Sequence, residues 1–437
     1  MNLKVTAPST IYGHIRLPAS KSISNRMLLL STLSGDKISL ANVAECDDTI
    51  AMRASLSQTT LSTSPTLHPI DRIAPLKGND EAAIIDIGAA GTAMRFLTAY
   101  FAATEGKDVI ITGTERMLHR PIGLLVDALR SLGAEISYEG EEGYPPLRIK
   151  GHRLEGGNIS LRSNVSSQYI SALLMVAPTM RLGLTLKLEG EVISRPYINI
   201  TTSLMRRFGI SINEPDDHTF VVIPGDYQEG NYLIENDWSA ASYWYEMLAL
   251  ADKGEVTLEG LFEDSLQGDS VVSKLFEPLG ITTDFKDTNA ILRKSSQSHI
   301  LNTQPSVFTA DLTTCPDLAQ TMVATCCGKG VSFHFSGLQS LRIKETDRLL
   351  ALRQELAKLG YHITERNGSV LEWDGKRSAS DAQCPIDTYN DHRMAMCMAP
   401  LCCKHGSLIV KDAQVVSKSY PSFWHDLQSV DYGLEEL

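Results

Sequence analysis

The chain has no surplus of positive charge: 52 Asp and Glu outnumber 40 Lys and Arg over 437 residues, a net of −12. Nucleic-acid binders ordinarily carry a basic excess, so no nucleic-acid partner is expected. No apolar run approaches the roughly 20 residues of a membrane span, so no membrane partner is expected. The opening residues lack the basic-then-apolar pattern of a secretory signal, and a cytoplasmic protein is expected. The eight cysteines include no C-x-x-C pair and no His at zinc-ligand spacing, which points to reduced, buried thiols and no metal. There is no G-x-x-x-x-G-K-S/T loop, so a kinase of that class is unsupported. What remains is a chain with 43% hydrophobic residues, enough for a large core divided over two or three domains.

A long repeat fills that space. Six segments pass from a small or polar start through an apolar helix to a glycine and a β-rich run: "SKSISNRMLLLSTLSGDKISL", "GAAGTAMRFLTAYFAATEGKDVIITG", "SSQYISALLMVAPTMRLGLTLKL", "DWSAASYWYEMLALADKGEVTLEG", "PDLAQTMVATCCGKGVSFHFSG" and "DHRMAMCMAPLCCKHGSLIV". Their helix-ending glycines, Gly35, Gly106, Gly183, Gly254, Gly330 and Gly406, recur at intervals of roughly 75 residues. A second, amphipathic helix follows in most units, as in "RPIGLLVDALRSLGAEI", "RPYINITTSLMRRFGISI", "GDSVVSKLFEPLGITT" and "TDRLLALRQELAKLGYHI", where Leu349, Leu352, Leu356 and Leu359 keep a 3–4 rhythm. About six helix–strand–loop–helix–strand units exceed one core, so two domains of three units are expected.

The first helix of each unit begins with Ser20 to Ser22, Gly88 to Thr92, Ser166 to Gln168, Asp237 to Ser239, Pro316 to Asp317, or Asp391 to Arg393. Helix N-termini present unpaired N–H groups and partial positive charge, and small residues let an anion reach them. If the three helices of a domain run roughly parallel, their starts share a face, and two such faces opposed would form a cleft for anions. Loops at equivalent repeat positions supply Arg116, Arg120, Arg195, Lys344, Arg348 and Lys418, and the helix starts supply Lys21, Arg26 and Arg393. Arg offers a planar fork to carboxylate or phosphate, and Lys a compact charge. Phosphate binding alone needs no acids, yet Asp317, Glu345, Asp391 and His392 lie at the same positions, a combination suited to proton transfer. Each has a plainer alternative: Asp317 as a helix cap, Glu345 as an i,i+3 ion pair with Arg348, Ser22 as part of a capped basic turn.

Seven motifs, "LPASKSISNR", "GAAGTAMR", "RPIGLLVDALRSLGA", "SSQYISALLM", "SRPYI", "KETDRL" and "DHRMAM", resemble in order and spacing those of the EPSP synthase family, from about residue 3 to residue 427. The resemblance implies an α/β, inside-out barrel fold of two domains, each of three βαβαββ-type units. Residues 19–235 would form one domain, mainly the shikimate 3-phosphate side. Residues 1–18 and 236–437 would form the other, with the acid/base groups and the phosphoenolpyruvate side, and crossings near 18–20 and 235–237. It implies transfer of the enolpyruvyl group of phosphoenolpyruvate to the 5-hydroxyl of shikimate 3-phosphate by addition–elimination, a step toward chorismate and the aromatic amino acids. No cofactor is implied, and a monomer is expected.

By the same resemblance, Lys21, Ser22, Arg26, Ser166, Ser167, Gln168, Ser194, Tyr197, Asp317, Ser340 and Lys344 would meet shikimate 3-phosphate. Lys21, Gly91, Arg120, Gln168, Arg348, Arg393 and Lys418 would meet phosphoenolpyruvate. Asp317 would take the hydroxyl proton, Glu345 would protonate the enol methylene, His392 would orient, and Lys21 and Lys418 would complete the catalytic set. The chain departs from the family at Ala89 and Ser340, where Asn is usual, at Phe96, where Pro is usual, and at Ala19, where Gly is usual. Losing two amide side chains removes about 0.5–1.5 kcal/mol of hydrogen bonding each, a change in affinity rather than in reaction type. Gly91 is retained, so sensitivity to glyphosate is expected.

Three rivals stand beside this reading. A UDP-N-acetylglucosamine carboxyvinyltransferase would carry Lys-Asn in the first helix and a Cys before the Arg-Pro, where this chain has Lys21-Ser22 and "RMLHRP". An RNA-end cyclase of related repeat fold would want a basic surface. A non-catalytic binding protein would be free to lose Lys21, Asp317, Glu345, Arg348 and Lys418, all of which are present.

Overall fold

The computed structural model describes residues 1–57, 82–162, 166–190, 192, 195–295, 307–380 and 384–437. The chain divides into two compact units, one of Met1–Ser20 with Glu235–Leu437 and one of Lys21–Ile234. Among the described residues no helix is long and apolar enough to cross a membrane.

One sheet plan recurs. In the contiguous unit, Ala83–Asp86 runs parallel to Asp108–Thr112, which pairs antiparallel with Leu147–Lys150, which pairs antiparallel with Glu135–Tyr138. Gly157–Arg162, Leu184–Glu189, Thr219–Val222 and Ile212–Asp216 repeat the plan. A third repeat begins with Gly230–Leu233 parallel to Ile38–Ala41, and residues 58–81, which follow in that repeat, lie outside the described residues.

The discontinuous unit builds the same sheet from Thr10–Arg16, Lys253–Glu259, Asn289–Lys294 and Ile281–Lys286. It builds it again from Phe308–Asp311, Phe333–Ser336, Val370–Trp373 and Thr364–Arg366. In its third repeat the first strand shrinks to a parallel bridge, Ile386 with Val410, and the third strand is supplied by residues 3–6: Leu3–Thr6 lies between Leu408–Val410 and Gly433–Glu436. Where the chain crosses between units, Ser20 N donates to Glu235 O at 2.8 Å and Asp237 N donates to Pro18 O at 2.9 Å.

A helix buried on most faces precedes the second strand of each sheet: Lys21–Leu33, Gly91–Ala102 and Ser167–Val176 in one unit, Trp238–Leu250, Ala319–Lys329 and His392–Met398 in the other. The three helices of each unit pack on one another, so each core forms around them with the sheets outside. The amphipathic second helices cover the sheets; Leu349, Leu352, Leu356 and Leu359 are all fully buried.

Two local expectations need correction. Gly330 does cap its helix, with left-handed φ of 71°, but Gly254 caps nothing. The Trp238–Leu250 helix ends earlier, and Gly254 lies inside the strand Lys253–Glu259. A Cβ there would stand 2.2 Å from the Ile11 carbonyl oxygen, so glycine is required by close strand approach. The "GDSVVSKLFEPLG" segment is a 3-10 turn, Gly268–Val271, then a helix of only Val272–Phe276, because Pro278 cannot continue it. All eight cysteines are free thiols; six are buried, and Cys384 and Cys403 are half-buried.

Candidate functional site

In the unit Lys21–Ile234 the expected residues gather at helix starts. Lys21 opens its helix, and its Nζ lies 3.6 Å from Asp48 Oδ2. Ser166 caps the next helix, its side chain accepting from Gln168 N at 3.3 Å. Gln168 Nε2 donates to Thr92 Oγ1 at 3.0 Å, which joins the first turns of two core helices. Gly91 begins the helix that bears Thr92. A Cβ on it would fall 2.4 Å from Arg120 Nη1, so the missing side chain is what lets a guanidinium lie against that N-terminus. Arg95 holds the Arg120 loop from below, donating to Gly91 O at 2.9 Å and Pro121 O at 3.5 Å, and Tyr169 Oη donates to Pro121 O at 2.5 Å.

Arg26 lies deeper. It is 2% exposed. Its guanidinium donates to Thr201 Oγ1 (2.7 Å), Ser22 O (2.8 Å), Ser171 Oγ (3.2 Å) and Tyr197 O (3.0 Å), and sits 5.5 Å from the Phe96 ring centroid. Burial pushes its pKa down to about 10. It braces Ser22 and Tyr197 from inside, and Phe96, standing where the family usually has Pro, serves as its platform. Ser194 lies outside the described residues; Ser167 begins the helix Ser167–Val176, and Tyr197 lies in the first turn of Arg195–Arg207.

The discontinuous unit assembles a denser set. Arg348, 1% exposed, donates from Nε to Asp391 Oδ2 (2.7 Å), from Nη1 to Asp317 Oδ1 (3.0 Å) and from Nη2 to Glu345 Oε2 (2.9 Å). Burial alone would lower its pKa, but Asp391, Glu345 and Asp317 together outweigh that and raise it. Lys418 Nζ stands 3.1 Å from Glu345 Oε1. Asp317 also meets Lys344 at 3.7 Å and Arg393 Nη2 at 3.1 Å. Asp391, fully buried, caps the His392–Met398 helix by accepting from Arg393 N at 2.9 Å, and His392 Nδ1 lies 3.7 Å from its Oδ1. Ser340 sits in the 3-10 turn Gln339–Ile343, with its hydroxyl buried just before Lys344.

The helix starts explain this convergence. Arg393 Nη2 donates to Ser239 Oγ at 3.3 Å, Arg393 Nη1 to Asp317 O at 3.5 Å, and Ser242 and Thr321 hydroxyls are 3.1 Å apart. The opening turns of the three core helices therefore touch, which is what brings residues 239, 317 and 393 together. Chemically, four cations (Lys344, Arg348, Arg393, Lys418) share three carboxylates (Asp317, Glu345, Asp391). An anionic ligand can draw those cations while a carboxylate is left to accept or give a proton. Sequence reasoning named Asp391 among the acids suited to proton transfer, but gave no role to Asp48 or Arg95, which meet Lys21 Nζ and the Pro121 carbonyl.

A sequence model of EPSP synthase (3-phosphoshikimate 1-carboxyvinyltransferase) matches residues 5–427. A protein of Bacteroides fragilis (strain YCH46) named 3-phosphoshikimate 1-carboxyvinyltransferase is 48% identical over 437 residues, 100% of this chain and 99% of the relative. One of that name from Shewanella pealeana is 36% identical over 434 residues, 98% of this chain and 99% of the relative. The solved EPSP synthase from Acinetobacter baumannii covers 100% of both chains with a TM-score of 0.75 at 20% identity, a likeness of fold.

Proposed function

This chain belongs to the EPSP synthase family, and we propose that its two sets of residues divide one carboxyvinyl transfer between them. The reaction joins phosphoenolpyruvate to the 5-hydroxyl of shikimate 3-phosphate, releases phosphate, and serves the shikimate pathway. Lys21, Ser22, Ser166, Ser167, Gln168, Ser194 and Tyr197, braced by Arg26, hold the sugar phosphate, with Ser340 and Lys344 completing its contacts. Arg120 and the Gly91 helix start receive phosphoenolpyruvate with Lys21, Gln168, Arg348, Arg393 and Lys418.

Asp317 takes the proton of the 5-hydroxyl as its oxygen attacks C2 of the enol. Glu345 gives a proton to C3, and a tetrahedral ketal phosphate forms. Collapse breaks the C2–O bond to phosphate as the ionised Glu345 takes a proton back from C3; the cations stabilise the departing phosphate. His392 steadies Asp391 and thereby Arg348. The unit Lys21–Ile234 supplies mainly the shikimate 3-phosphate contacts, and the discontinuous unit the acid and base. We assign the active species as a cytoplasmic monomer, which sedimentation of the purified protein checks.

The observation that carries this reading is Arg348 held on Asp317, Glu345 and Asp391 at once, with Lys418 on Glu345. The test is phosphate release from phosphoenolpyruvate and shikimate 3-phosphate without added metal, with the product identified by mass. Equimolar phosphate and enolpyruvyl product support it. Turnover only with UDP-N-acetylglucosamine, or none with either acceptor, overturns it.

A further inference from the structure

Asp317 is held by three cations, Lys344, Arg348 and Arg393, within 3.7 Å. Cations this close stabilise the ionised carboxylate and make it a poor base. A base that must take a hydroxyl proton needs a compensating negative charge, and the fold provides one behind it. Asp269 is buried in the turn Gly268–Val271 and accepts a hydrogen bond from Ser239 Oγ. The same Ser239 Oγ accepts from Arg393 Nη2 at 3.3 Å, and Arg393 Nη2 reaches Asp317 Oδ2 at 3.1 Å. Asp269, Ser239, Arg393 and Asp317 thus form one connected line, drawn from a turn and the starts of three core helices.

We propose that Asp269 is a positioning residue for the transfer reaction: through Ser239 and Arg393 it draws cationic charge away from Asp317 and restores its basicity. This rests on the assignment of Asp317 as the base. Asp269 touches no substrate in this scheme and neither gains nor loses a proton in the step itself. The groups facing it are Asp237 and Ser239 on one helix start, Cys315 and Asp317 on the second, and Arg393 on the third. Burial first, and Asp317 next, push its pKa up to about 7, while Arg393 and Ser239 oppose the rise. Its charge therefore appears as pH rises through neutrality, and with it the negative potential that Asp317 needs. The sign for stability is the reverse: a carboxyl with a raised pKa favours the fold at low pH and loses that contribution as pH climbs from the usual carboxylate range to about 7.

The experiment compares D269N and S239A with the unaltered enzyme from pH 5.5 to 9, reading kcat, both KM values and melting temperature. D269N is expected to lose the rise of kcat near pH 7 and to turn over about tenfold more slowly at pH 8, the effect of about one unit of basicity at Asp317. Both KM values should stay within about twofold and melting at pH 8 should be unchanged or higher. S239A, which keeps the carboxyl and breaks the line, should fall between the two. An unchanged pH profile in D269N, or an equal loss of rate at every pH with lowered melting, overturns the proposal. D317N separates the two assignments: if it turns over normally the base itself is misassigned, whatever D269N does.

Discussion

The two units hold their cations in different ways. In Lys21–Ile234 the guanidiniums of Arg26 and Arg95 rest on carbonyls and hydroxyls, and Arg120 lies on a helix start, while Lys21 faces Asp48 and Arg195 faces Glu214. In the discontinuous unit every site cation shares a carboxylate. Neutral supports leave positive potential intact, which suits holding an anion. Carboxylate supports cancel much of it but bring groups that exchange protons. On the proposed reading, the same repeat yields a gripping surface from one set of helix starts and a proton-handling one from the other.

That contrast can be broken at four points, taken from the largest effect down. Lys21→Ala removes the one cation both substrates are expected to use, and should lower kcat/KM by more than about a thousandfold with an unchanged circular dichroism spectrum. A rate near normal would dissolve the distinction. Glu345→Gln should bind both ligands by calorimetry yet turn over about 10²–10⁴-fold more slowly. Loss of binding instead would make Glu345 a support like its counterparts in the other unit. Gly91→Ala should push Arg120 off the helix start, raising KM for phosphoenolpyruvate by about ten- to a hundredfold and weakening inhibition by glyphosate in parallel, with kcat less affected. If KM holds, Arg120 is not placed by that contact. Cys326→Ser, inside the Ala319–Lys329 core helix, should cost about 1–3 kcal/mol of stability by denaturant titration and leave activity per folded molecule unchanged. A selective loss of activity would show that the thiol does more than pack.

Much of this was readable along the chain because its causes are local. A small or polar helix start, an apolar stretch and a glycine end are short-range facts, and they place Lys21, Gly91, Gln168 and Arg393 at helix mouths. The identity of the site residues came from motif resemblance rather than from pattern. What was not readable depends on partners far off in sequence. Arg348 and Asp391 are 43 residues apart. Asp269 became visible only when Ser239 and Arg393 fell beside it. Gly254 looked like a cap because a glycine after an apolar helix usually is one, and only the Ile11 carbonyl against it shows the other cause. Arg26's partners Thr201, Ser171 and Tyr197 lie 145 to 175 residues away and could not be read from its motif.

The strand Leu3–Thr6, seated between Leu408–Val410 and Gly433–Glu436, sets an order of events during synthesis. Residues 3–6 are made about 400 residues before their partners at 408–410 and 433–436 and must wait for them. The stretch 21–234, being uninterrupted, can close while translation is still under way. Its companion completes only once residues 408–436 have been made, so a chain stopped short of them should hold a finished unit 21–234 and an unfinished companion.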